Sequence, residues 1–434
     1  MKDYKELLKK YKIEEKSKAS IKTKDSTYEG IIMPSQKQEI LTLKLNNGYN
    51  IGIKISKVEG IKNLGKVEPK EKKIIQNVKN SNLPNITILH CGGTIASKVD
   101  YETGGVVPLF DANDLLEMVP ELNSIANIKT QTVFNIFSED MTLSHYSILA
   151  KAIENEIKNG AYGIIITHGT DTMHYSASAM AFALEGLPIP VILVGAQRSS
   201  DRPSSEVAMN LICATEFIAK SDFSSVAICM HETTSDDFCV ILPATKTRKM
   251  HTSKRDAFKP INYVPIARVD YLKRQIHFLK KNYPKRAERK VVCKNKFEKK
   301  VGILKTHPGL STEEILFYKK QKYAGLVIEG TGLGHIAING ENAKNLKALQ
   351  ELTKSGCIVA MTSQCLYGRV HSAVYSTARK IKNAGVIYCE DMIPETAFIK
   401  LSWLLGNFKK EEAKVMLAQN LRGEITKRTK IVYT

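Results

Sequence analysis

The sequence predicts an α/β protein: a parallel, helix-covered sheet preceded by a small β-barrel module. Three observations carry that expectation. From Ile86 onward, short apolar runs alternate with helix-like segments. Before residue 66, strand-like runs are joined by turn signals instead. Two of the later runs, Ile86 to Leu89 and Gly163 to Ile166, break at glycine into hydroxyl residues. In an open α/β sheet, ligands sit beyond the carboxyl ends of the strands, so both segments should deliver threonines into one crevice.

Residues 1–65 are expected to form the barrel module. A polar helix spans Tyr4 to Glu15, followed by strands at Thr27 to Pro34, Ile40 to Leu45 and Tyr49 to Ile55, with Asn46-Asn47-Gly48 as the hairpin turn. Residues 66–85, rich in Lys, Glu, Asn and Pro, form the expected linker. Beyond it, Thr142 caps a helix running to Asn159, Tyr162 to Thr167 is a strand, and Thr172 to Glu185 is helical. Pro190 to Val194 is the next strand, and Ser204 or Ser205 caps a helix through Lys220. Residues 262–300 form a basic hairpin or extended insertion around Tyr283-Pro284. A second α/β unit, 301–434, carries strands at Val301–Leu304, Gly325–Ile328 and Ile358–Met361, and helices at Asn342–Leu352 and Pro394–Leu405. The lobe before it spans 86–300.

Composition narrows the class. With 434 residues, 43% hydrophobic and 25% charged, the chain can bury two or three cores. No apolar run is long enough to span a bilayer, and Met1-Lys2-Asp3-Tyr4-Lys5-Glu6 lacks the apolar stretch of a secretion signal, so a cytoplasmic location without membrane contact is expected. Eight scattered cysteines without a C-x-x-C pair favour reduced thiols, and the ten histidines show no metal-ligand spacing. No structural metal is expected. The formal net charge of +20 is segregated: residues 1–73 hold 18 Lys and Arg against 10 Asp and Glu, and residues 273–300 hold 12 against 2. Such segments are compatible with a polyanionic partner and equally with solvated faces.

Two nucleotide-like motifs fail on inspection. Gly60 to Val67 approaches a P-loop, but Val67 replaces the magnesium-binding hydroxyl and Pro69 follows in place of a helix. Gly330-Thr331-Gly332-Leu333-Gly334 follows a strand with the wrong spacing for a dinucleotide fingerprint and reads as a tight loop. ATP and NAD are thus not expected to bind this chain.

The hydroxyl motifs are more specific. Gly92-Gly93-Thr94-Ile95-Ala96 and His168-Gly169-Thr170-Asp171-Thr172 are accompanied by Lys249 in a polar loop after a third strand. A threonine becomes a nucleophile only when a base takes its proton, and a desolvated lysine positioned by an aspartate can serve. Backbone N–H groups in the glycine turns can stabilise a tetrahedral oxyanion. The bland alternative is that such turns merely cap the next helix.

At these residues the chain resembles the bacterial-type L-asparaginase/glutaminase family, from Ile86 to its end. Asn135-Ile136-Phe137-Ser138-Glu139-Asp140-Met141 and Gly195-Ala196-Gln197-Arg198 share in the likeness. The resemblance implies a two-lobed asparaginase-like parallel-sheet region, with Thr94 as acyl-forming nucleophile on a mobile loop and a lid from Ser97 to Gly105 beyond it. It implies Thr170, Asp171 and Lys249 as a supporting relay. Ser138, Glu139 and Asp171 would hold the substrate's carboxylate and ammonium ends, with Tyr101 contributing from the lid. Lys246, in Ala-Thr-Lys-Thr, competes with Lys249; spacing back from Ala257-Phe258 selects Lys249.

The first 85 residues, the basic insertion, Lys249 to Phe258 and Glu390 to Ala397 extend the likeness over the whole chain. They resemble the GatD family, the asparaginase-like subunits of archaeal glutamyl-tRNA(Gln) amidotransferases. That resemblance implies ammonia release from glutamine or asparagine, and no cofactor in this chain. A separate GatE-type subunit would use ATP and Mg to activate misacylated Glu-tRNA(Gln), with a homodimer of this chain at the core of an α2β2 heterotetramer. The rival expectations are a free-standing asparaginase or glutaminase and an RNA-binding scaffold with a decayed site.

Overall fold

The structure, a computed structural model, describes residues 3–35, 37–45, 50–66, 80–93, 97–99, 106–108, 118–198 and 205–428. The expected Asn46-Asn47-Gly48 turn and most of the expected linker lie outside these residues.

After helix α1 (Tyr4–Lys10), five strands form an antiparallel sheet: β1 (Ser17–Thr23), β2 (Thr27–Met33), β3 (Ile40–Leu45), β4 (Asn50–Lys54) and β5 (Val58–Lys66). Their order is β4-β3-β2-β1-β5. Ala19, Ile21, Ile32, Leu41 and Leu43 are fully buried on the inner face, which α1 covers with Leu7 and Leu8. Register shifts in the β1–β5 pairing at Lys18/Ala19 and Lys22/Thr23 supply the local twist that lets so short a sheet curl around its core. The sequence reading has neither β1 nor β5, because Lys, Ser and Gly occupy their outward positions and dilute the strand signal. The P-loop-like Gly60 to Lys66 lies within β5.

The main sheet has eight strands: β6 (Asn85–Gly92), β7 (Asn127–Ile136), β8 (Gly163–Thr167), β9 (Val191–Val194), β10 (Val226–His231), β11 (Phe238–Pro243), β12 (Ala267–Asp270) and β13 (Gln275–Phe278). The order is β13-β12-β11-β10-β9-β8-β6-β7. The five strands from β7 to β10 pair in parallel, and the last three add antiparallel. Helices α2 (Leu143–Lys158) and α3 (Met173–Ala183) cover one face, over Leu89, Ile164 and Ile166. Helix α4 (Val207–Lys220) covers the other, over Ile88, Ile165 and Ile192. Alternate residues of one strand thus feed opposite layers, as a doubly covered sheet requires.

Thr142 is the N-cap of α2, as expected, and its backbone N–H donates to His145 Nδ1 at 2.9 Å. Helix α4 departs from expectation. It begins at Val207 with Glu206 as N-cap, and Ser205 instead donates to the Arg198 carbonyl at 3.1 Å. Helix α3 stops at Ala183, because Leu184–Glu185 pair with Val292–Cys293 of the basic insertion.

A second sheet, all parallel, contains β14 (Val301–Lys305), β15 (Gly325–Gly330), β16 (Ile358–Ser363) and β17 (Ile387–Tyr388). It is accompanied by α5 (Thr312–Lys320), α6 (Lys344–Lys354), α7 (Ser376–Asn383), α8 (Pro394–Asn407) and α9 (Lys410–Leu417). Helix α8 packs back on α3, with Trp403 stacked on Phe182 at 5.5 Å between ring centroids. Thr396 Oγ1 donates to the Thr245 carbonyl at 3.0 Å, and Ser178 bonds Thr396 at the same separation. Two ion pairs without solvent exposure, Lys246–Asp391 at 2.7 Å and Lys400–Glu424 at 2.6 Å, fasten the C-terminal part.

The basic insertion is docked onto the body. Arg286 donates to the carbonyls of Tyr162, Ile218 and Ser221, and its guanidinium lies 3.8 Å from the Tyr162 ring centroid. Tyr283 stacks on Phe278 at 4.3 Å.

Candidate active site

The site forms where β6, β8 and β9 end. Gly92 and Gly93 follow β6 with φ of +89° and +84°, a region that side chains disfavour. A Cβ on Gly93 would come within 2.3 Å of the Gly169 backbone, so only glycine lets the two motifs touch. Thr94, the next residue, lies outside the described residues, as does Tyr101. Flanking Tyr101, Ser97–Val99 pair antiparallel with Val106–Pro108.

On the β8 side, Thr170 is buried and Asp171 exposed. Lys249 spans them: its Nζ donates to Thr170 Oγ1 at 2.8 Å and to Asp171 Oδ1 at 2.5 Å. Thr170 Oγ1 in turn donates to Gln197 Oε1 at 3.4 Å, and Gln197 follows β9. The Gln197 N–H donates to Glu206 Oε1 at 2.5 Å. Burial pushes the Glu206 carboxyl up, while that N–H works in the opposite direction.

Ser138 and Glu139 begin a 3₁₀ turn, Ser138–Asp140, after β7. Thr172 Oγ1 donates to the Ser138 carbonyl at 2.6 Å, which ties this turn to the Asp171 loop. A Cβ on Gly169 would meet Ser138 Oγ at 2.9 Å, so Ser138 is in van der Waals reach of the second motif. Ser138 is buried and Glu139 exposed.

The two lysines separate cleanly. Lys249 sits not in a loop but at the end of a short strand, Thr247–Lys249, paired with Phe258–Pro260. Lys246 precedes the same strand yet turns into the protein, fully buried against Asp391, whose carbonyl also accepts from it at 2.8 Å.

Sequence reading assigns no role to the residues behind the site. His168 is buried; its Nδ1 donates to the Gly169 carbonyl at 2.6 Å and its Nε2 accepts from Ser176 at 2.8 Å. Burial lowers His168 to about 4 and fixes it neutral at pH 7. His174, in the first turn of α3, is lowered to about 3 by burial and by the charges of Arg248 and Lys249. Arg248 pairs with the buried Glu395 at 3.0 Å and so ties the lysine strand to α8. The only sequence signal for these residues is polarity inside otherwise apolar segments.

Comparison with known proteins agrees with this geometry. The family described as Asparaginase, N-terminal matches residues 85–283, and the Glutaminase/Asparaginase C-terminal domain matches 300–416. The GatD N-terminal domain matches 13–64. The glutamyl-tRNA(Gln) amidotransferase GatD subunit of Pyrococcus abyssi is 48% identical over 93% of this chain and 92% of its own. Its counterpart in Archaeoglobus fulgidus is 46% identical over 95% of both chains. Among solved structures, the thermostable L-asparaginase from Thermococcus kodakarensis superposes with a TM-score of 0.70 at 30% identity, covering 79% of this chain and 100% of its own. L-asparaginase I from Vibrio cholerae gives 0.68 at 28%, covering 79% and 99%. With an asparaginase-type α/β body joined to a GatD N-terminal domain, the chain belongs to the GatD family of glutamyl-tRNA(Gln) amidotransferase subunits.

Proposed function

We propose that this chain is the glutamine amidohydrolase component of a tRNA-dependent amidotransferase. The observation that carries the reading is Lys249 bridging Thr170 and Asp171, which follow Gly169, the residue whose backbone meets Gly93 just before Thr94. Thr94 Oγ attacks the side-chain amide carbon of glutamine, and its proton passes through the Thr170–Lys249 relay to the departing nitrogen. The C–N bond breaks, leaving a γ-glutamyl ester on Thr94 and free ammonia. Water then hydrolyses the ester to glutamate. Asp171 orients Lys249 and, with Ser138 and Glu139, holds the substrate's amino and carboxylate ends, while Tyr101 contributes from the lid.

The ammonia passes to a GatE-type subunit that activates Glu-tRNA(Gln) with ATP and Mg, so this chain carries no cofactor of its own. The assembly is a cytoplasmic α2β2 heterotetramer built on a homodimer of this chain. Among the described residues no helix is long and apolar enough to cross a membrane. The match of residues 13–64 to the GatD N-terminal domain favours this over a free-standing asparaginase. Ammonia release from glutamine tests the reading: Thr94→Ala should abolish it, and a Thr94→Ala protein with full activity would refute the assignment.

A further inference from the structure

The basic insertion has a feature that amide hydrolysis does not use. At the end of the main sheet opposite Thr170, where β10 begins, the insertion and the C-terminal tail enclose a cleft of about 420 Å³. Lys280, Arg289 and Arg422 line it, together with Ser224, Thr245 and Tyr263. No carboxylate is among its described lining residues. The acids nearby are already engaged: Glu185 by Lys294 at 2.8 Å, and Asp222 by Lys285 at 2.9 Å and Tyr283 at 2.7 Å.

The three cations keep unused donors. Lys280 Nζ lies 3.7 Å from the Tyr263 ring centroid and bonds that residue's hydroxyl, a contact that leaves its charge unneutralised. Arg289 reaches only neutral oxygens, Ser224 Oγ at 3.4 Å and the Lys285 carbonyl. Arg422 spends Nε and Nη1 on the carbonyls of Ala181 and Leu421, both at 3.0 Å, and its Nη2 stays 3.7 Å from Glu185. Lys280 and Arg289 face the same cleft without an acidic partner, and Arg422 shares its one carboxylate, Glu185, with Lys294, a setting that favours a dianionic group with several acceptor oxygens. The space is far larger than one phosphate and falls in the range of small-ligand sites. Its remaining walls include the rings of Tyr263, Tyr283 and Phe223.

We propose that this cleft binds the phosphate of a nucleotide, either free or as one unit of an RNA strand. The proposal stands on the cleft alone and does not depend on the amidohydrolase reading. Binding of adenosine monophosphate and of single-stranded pentauridylate to the full chain would be measured by calorimetry at low salt. The double variant Lys280→Gln/Arg289→Gln would be compared with Lys296→Gln/Lys299→Gln, which removes equal charge from the same insertion outside the cleft.

The cleft variant should weaken binding by about tenfold or more, and the control by less than about twofold. Equal melting temperatures and ammonia release in the two variants would confirm intact folds. Binding of the mononucleotide identifies a free nucleotide as sufficient, and binding of the pentamer alone identifies the strand; either supports the site. Three results would overturn it: no binding of either probe, equal weakening by both variants, or preference for an acidic peptide over both.

Discussion

Lys246 and Lys249 are three residues apart on one short segment, and each faces an aspartate, yet their surroundings differ in every respect that matters. The Lys246–Asp391 pair has no exposure on either side chain, whereas Lys249 is 9% exposed and Asp171 65%. Burial pulls Lys246 below its ordinary range while Asp391 pulls it back. Asp391 is itself held by Thr426, through that residue's N–H at 2.9 Å and its hydroxyl. The first pair is a sealed fastener between the main sheet and the C-terminal part. The second opens on one side toward the crevice and shares its lysine with a hydroxyl. The same two residue types thus make a sealed fastener in one place and, in the proposed mechanism, an open relay in the other.

Substitution should separate the two lysines. Lys249→Met should lower ammonia release about 10²- to 10⁴-fold with little change in melting temperature, since it removes a group acting on the reacting proton. A variant that stays active would move the relay elsewhere. Lys246→Met should do the reverse: it strands a buried carboxylate, costing about 3–5 kcal/mol in a denaturation experiment, and any loss of activity should track the unfolded fraction. Lys246→Met/Asp391→Asn should recover part of that stability, and an unaltered denaturation midpoint in the single variant would contradict the fastener.

A smaller effect is expected from pH. His168 is held near 4 in the folded chain against about 6.5 unfolded, so the unfolded chain takes up the proton first. Its contribution is complete above about pH 6.5, declines as the pH falls, and is gone below about pH 4. The contribution is at most about 3 kcal/mol. A melting temperature that falls over this window, and less steeply in His168→Gln, is the expected result. Identical slopes would show that His168 does not titrate on unfolding.

Legibility from sequence followed the physics of each segment. Ile86 to Leu89 and Gly163 to Ile166 are buried on both faces, so their continuous apolar runs revealed parallel strands without any structure. Gly93 and Gly169 were readable as motifs, but that they touch backbone to backbone depends on two strands meeting, which spacing alone does not encode. Strand β1, with Lys and Ser outward, and the amphipathic helices α5, α7 and α9 were hidden because polar faces outweigh a few buried residues. Spacing selected Lys249 from sequence, but the role of Lys246 was hidden, because its partner Asp391 lies 145 residues away.

The most direct test uses the chain assembled with the GatE-type subunit proposed as its partner, following conversion of Glu-tRNA(Gln) to Gln-tRNA(Gln). With Lys249→Met in this chain, conversion driven by glutamine should fall about 10²- to 10⁴-fold, while conversion driven by saturating free ammonium should match wild type. Loss of both would place Lys249 in assembly or tRNA handling and contradict the account, as would retention of glutamine-driven conversion.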